Sequence, residues 1–106
     1  MGYEPFQTDP FQRKFKKLDK PVQERVQKDI MQKLCDDPYR NSTLLSGGLW
    51  GLRSFHSGKY RVILVIVEEA GKLGIRNTRP EFNCDGLPPN GIKLLEIGPR
   101  KNVYDS

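Results

Sequence analysis

The stretch GLRSFHSGKYRVILVI, Gly51 to Ile66, reads as two strands folded back on each other. Gly47 and Gly48 introduce a strand from about Leu49 to His56, and the small, polar SGK turn at Ser57 to Lys59 reverses the chain. The return run YRVILVIV is rich in β-branched residues and almost wholly apolar. A run without polar alternation predicts a central strand covered on at least one face.

Outward toward the N-terminus, Tyr3 to Gln7 reads as a short strand, followed by Thr8 and Asp9 as cap residues and Pro10, whose fixed φ suits a first helical turn. Phe11, Phe15 and Leu18 then form an apolar stripe, with Arg13, Lys14, Lys16 and Lys17 on the remaining positions. A second helix is capped by Asp19, carries Pro21 in its first turn, and repeats Val22, Val26, Ile30 and Leu34 along one side. Asp36, Asp37 and Pro38 end it. Two such helices form a hairpin whose apolar stripes need the downstream strands to bury them.

Outward toward the C-terminus, a third strand runs from about Gly91 to Ile97. The expected fold class is therefore α+β: a short N-terminal strand, a helical hairpin, then an antiparallel sheet with the helices on one face. Residues 1–106 form one domain of a length that supports one modest core. A long insertion, about 76–91, interrupts the last two strands where a two-residue turn would suffice. Leu73 to Arg76 is expected to pair briefly, and the rest reads as a surface excursion in preference to a recognition loop.

The net charge of +5 is uneven, with 12 Lys/Arg against 7 Asp/Glu in residues 1–67 and 6 against 6 beyond. Such a basic chain suits nucleic acid or an acidic protein partner, against the plainer reading of a solubilising helix face. No apolar run approaches the ~20 residues of a membrane span, and MGYEPFQTDP has no signal-peptide apolar region, so a cytoplasmic protein is expected. Cys35 and Cys84 have no metal-ligand spacing and read as free thiols in a reducing compartment. Neither a cofactor nor a metal is expected.

A second basic-aromatic stretch, IGPRKNVYD at Ile97 to Asp105, lies in and just beyond the last strand. If it runs beside the first, Arg53, His56, Arg61, Arg100, Lys101 and Tyr104 gather into one cationic cluster. That is a receptor for a polyanion and a set of groups suited to cleaving a phosphodiester.

FKKLDKPVQERV, LLSGGLWGLRSFHSGKYRVI and IGPRKNVYD, in that order, resemble the RelE/ParE superfamily of bacterial and archaeal toxins. The resemblance covers most of residues 3–105 apart from the insertion. It implies a toxin held inactive by a cognate antitoxin, and in RelE-like members a metal-independent endoribonuclease that cuts mRNA on the ribosome and so inhibits translation. The family's site residues fall on Arg53 or His56, Arg61, Arg100 and Tyr104, with Lys59, Lys101 and Arg53 as RNA-binding cations. Implied partners are the antitoxin, mRNA and the ribosome, and operator DNA through the antitoxin complex. Two alternatives stay open: a ParE-like DNA gyrase inhibitor without nuclease activity, and an inactive toxin-fold binding protein.

Attack by a ribose 2′-OH needs a base at the hydroxyl, cations around the phosphorus and stabilisation of the leaving 5′ oxygen. Arg61 offers a planar fork to the phosphate oxygens. Arg100 suits leaving-group stabilisation better than proton donation, since an Arg pKa lies above ~12. Tyr104, with an ordinary pKa of ~10, and His56, the sole histidine and titrating near ~6.5, compete for the role of base. Arg53 and His56 are three residues apart, so a regular strand sends them to opposite faces. Trp50 reads as a core residue in preference to a platform for an RNA base.

Overall fold

In the computed structural model, which describes residues 2–99, five strands form one sheet in the order β1-β5-β4-β3-β2. They are β1 (Glu4–Gln7), β2 (Thr43–Leu44), β3 (Arg53–Ser57), β4 (Tyr60–Ile66) and β5 (Gly91–Pro99). β1 pairs with β5 in parallel, and every other pairing is antiparallel. The helices are α1 (Asp9–Lys16), α2 (Lys20–Asp29), α3 (Pro38–Asn41) and α4 (Val67–Lys72). The expected α+β class, with its helical hairpin and its insertion between the last two strands, is the observed one. None of the helices among the described residues is long and apolar enough to cross a membrane.

Local chemistry sets the element ends. Thr8 caps α1: its Oγ1 accepts from the Phe11 N–H at 3.4 Å and donates to the Leu94 carbonyl at 2.8 Å, so the cap also anchors the helix to β5. Asp37 caps α3 by accepting from the Arg40 N–H at 3.1 Å. The stripe of α2 recurs every four residues, which rotates it by about 40° per repeat on a helix of 3.6 residues per turn. The helix corrects this by widening into a π-helical turn over Ile30–Leu34, closed by the Cys35 N–H on the Ile30 carbonyl at 2.8 Å. Ile30, Leu34 and Cys35 all stay buried as a result.

Strand alternation splits the core in two. On one face Phe55, Val62, Leu64, Ile66, Ile92, Leu94 and Ile97 pack with Phe11 of α1 and Val26, Ile30 and Leu34 of the second helix. On the other, Leu52, Ile63, Val65 and Leu95 pack with Val67, Ala70, Phe82 and Cys84. From Val62 to Val67 the run is apolar throughout because both of its faces are covered. In β5 the register shifts between Ile63↔Glu96 and Leu64↔Leu94, a bulge that lets Leu94 and Ile97 serve the first core while Leu95 serves the second.

Three expectations are corrected. The insertion is not a surface excursion, because Phe82 is 2% and Cys84 0% exposed beneath the sheet. Nor do Leu73–Arg76 pair as a strand, since α4 occupies 67–72 and turns follow it. The strand expected from Leu49 begins at Arg53, preceded by a 3-10 turn at Gly47–Leu49, and Thr43 and Leu44 pair with it as a further edge strand.

Candidate functional site

His56 and Arg61 are the residues that the hairpin brings together. They are direct cross-strand partners, one pair away from the Ser57–Tyr60 pair that closes the turn. Opposed residues in an antiparallel pair share a face, with Cβ atoms about 4.5–5.5 Å apart. That face is the second one, since Arg61 alternates with Ile63 and Val65. The apolar layer ends at Ile63, so the pair stands just beyond its edge, with His56 exposed and Arg61 half-buried. On β5 the residue opposite Arg61 is Gly98, which adds no side chain beside the guanidinium.

The turn is firmly held. Gly58 takes a positive φ of 60°, as a type II′ connection requires of its first central residue. Ser57 Oγ donates to Asp29 Oδ2 at 2.7 Å, which fixes the end of β3 to α2. A Cβ at Gly58 would lie 3.2 Å from the Arg25 guanidinium carbon, so that side chain lies over the glycine. Lys59 is exposed at the tip and borders a cleft of about 210 Å³ formed with Val22, Arg25 and Val26.

Arg53 lies on the opposite face. Its Nε donates to Glu69 Oε1 at 2.8 Å and its Nη2 to Glu69 Oε2 at 2.9 Å, while Nη1 reaches the Ser42 carbonyl at 3.2 Å. The guanidinium carbon also sits 5.1 Å from the centre of the Tyr39 ring. With 8% of its surface exposed, Arg53 is a buried strut that joins β3 to α3 and α4. Next to it, Glu68 Oε2 accepts from the Tyr3 hydroxyl at 2.6 Å and the Tyr39 hydroxyl at 2.8 Å. Those hydrogen bonds hold the Glu68 carboxyl below its ordinary range.

No family model matches the sequence, and no curated protein shows significant similarity to it. The backbone does superpose on a chain of the crystal structure of the toxin–antitoxin complex RelBE2 from Mycobacterium tuberculosis. The TM-score is 0.69 at 20% identity, over 94% of this chain and 100% of that one. The chain has a RelE-like fold.

Within this RelE-like fold the expected cluster is divided. His56 and Arg61 share a face, with Lys59 at the adjoining tip, and Arg53 stands apart in its ion pair with Glu69. Arg100, Lys101 and Tyr104 lie outside the described residues, which end at Pro99 opposite Tyr60. Sequence reasoning passed over Glu69, the partner that takes up Arg53. The signal available was strand parity, which already separated Arg53 from His56. Trp50, read as a core residue, is 44% exposed.

Proposed function

We propose that this chain is the toxin of a toxin–antitoxin pair and a metal-independent mRNA endoribonuclease that acts on the ribosome. The observation that carries the reading is the opposed His56–Arg61 pair, at the open end of a RelE-like sheet, directly beside the strand that leads to Arg100. Arg61 grips the non-bridging oxygens of the scissile phosphate through its fork, and Gly98 leaves room beside it. His56 or Tyr104 takes the proton of the 2′-OH as its oxygen bonds to phosphorus. The bond to the 5′ oxygen then breaks, giving a 2′,3′-cyclic phosphate, while Arg100 stabilises the departing oxygen until it is protonated. Lys59 and Lys101 hold the flanking backbone. Arg53, committed to Glu69, supports the fold and takes no part in the chemistry.

The basic outer face of α1 supports a cognate antitoxin as partner, one whose acidic, amphipathic segment neutralises it. Primer extension on mRNA in a cell-free translation reaction tests the whole reading. Wild type is expected to create new 5′ ends at the cleavage sites, and Arg61→Ala and Tyr104→Phe to lose them. Intact mRNA with folded wild type would replace this reading with gyrase inhibition or binding alone.

A further inference from the structure

The segment that leads into β3 carries a feature for which cleavage has no use. Trp50, the only tryptophan, keeps 44% of its surface exposed on a segment that has little freedom to move. The Trp50 N–H donates to the Gly47 carbonyl at 3.1 Å and the Leu52 N–H to the Leu49 carbonyl at 3.0 Å. Between them Gly51 has a φ of 101°, and a Cβ there would meet Ile75 Cδ1 at 2.4 Å and Phe82 Cζ at 2.8 Å. The indole is thus displayed on a backbone pressed against the insertion. A large aromatic surface held rigidly in water is the anatomy of a binding hot spot.

The insertion also brings cations to this place. Arg79 stacks 5.1 Å from the Phe82 ring centre and donates to the Gly48 carbonyl at 3.2 Å, two residues from Trp50, with 43% of its side chain exposed. Glu81 is at the limit of an ion pair with it at 4.0 Å. Arg76, next to the Ile75 that contacts Gly51, is exposed and donates to the Cys84 carbonyl at 3.4 Å. We infer that Trp50, Arg79 and Arg76 form a subsite for single-stranded RNA, in which one base stacks on the indole and the adjoining phosphates meet the two guanidinium groups.

Leu52 belongs to the second core, so β3 leaves this segment on the face that His56 and Arg61 occupy. Six residues separate Trp50 from His56, at most roughly 22 Å of chain. One RNA strand a few nucleotides long spans both places. Naming RNA as the ligand rests on the endoribonuclease reading, because an acidic protein segment also suits an exposed Trp beside Arg. The position of this segment at the start of the strand that carries His56 favours RNA.

Trp50 reports on itself, because no other tryptophan contributes to the fluorescence. The test titrates the full chain with a 2′-O-methylated decanucleotide, which lacks the attacking hydroxyl. Saturable quenching is expected. In anisotropy with a labelled copy, Trp50→Leu should weaken binding about tenfold without changing the salt slope. Arg79→Ala should flatten the log–log salt slope by about 0.7. An unchanged emission on addition of the oligonucleotide would overturn the subsite, and so would quenching by a poly-glutamate peptide but not by RNA. Absent quenching alongside intact cleavage removes the subsite alone. Quenching without cleavage in the translation assay keeps the subsite and removes the nuclease.

Discussion

Arg53 donates from two nitrogens to the two oxygens of Glu69, and both side chains are nearly buried. Removing either partner leaves a buried charge uncompensated, so Arg53→Ala or Glu69→Ala should cost about 3–5 kcal/mol in urea unfolding. Arg53→Lys should recover little, because an ammonium cannot reproduce the two-pronged contact. Lost RNA cleavage in an Arg53 variant of unchanged stability would return the residue to the active site. Beside this pair, Glu68 and the two phenols titrate against each other. Hydrogen bonds from Tyr3 and then Tyr39 lower the Glu68 carboxyl from 4.5, so its contribution is complete above that pH and is lost as pH falls through the lowered value. The hydrogen bond to Glu68 raises Tyr3 from 10.0 to about 12, and burial, followed by the same carboxylate, raises Tyr39. The phenols therefore contribute fully below pH 10, and their share is lost above it as the folded-state values are passed. Tyr39→Phe should lower Tm by a constant amount between about pH 5 and 9, and the gap from wild type should narrow outside that window. A gap that stays flat from pH 3 to 12 would refute the coupling.

The insertion is the element that most changes the reading of the chain. Phe82 is as deeply enclosed as Phe11 on the other side of the sheet, so Phe82→Ala should cost about 3–5 kcal/mol, the loss expected of Phe11→Ala. A merely tolerated surface loop would show less than about 0.5 kcal/mol in the same unfolding experiment. The pattern of the sequence made the other elements legible. Thr8 and Pro10 marked α1, the four-residue repeat marked α2, and YRVILVIV with SGK before it marked the central hairpin. Four-residue spacing does not reveal that a helix will widen, and an all-apolar strand does not say what covers its second face. In the insertion, Phe82 and Cys84 are isolated apolar residues among Gly, Pro and Asn, without the periodicity that betrays a buried element. Of the site, the SGK turn was legible, and parity separated Arg53 from His56 without saying which of the two belongs with Arg61. The exposure of Trp50 was hidden because the contact of its neighbour Gly51 with Ile75 and Phe82 joins parts of the chain that are distant in sequence.

As a whole molecule, the chain is a sheet between two unequal covers. The helical hairpin supplies one and carries the exposed basic residues of α1. The other is built from α4 and the insertion, and it stops short of the hairpin turn, leaving His56 and Arg61 beyond its edge. Each cover contains one buried free cysteine, Cys35 among the helices and Cys84 under the insertion. Burial raises the pKa of both thiols, so neither reacts readily while its cover is closed. The two sulfurs therefore report on the two covers separately. In dilute urea with a thiol reagent, modification of Cys84 before Cys35, read by peptide mass, would show that the insertion lifts while the helices stay docked. Simultaneous modification would make the two covers a single cooperative unit.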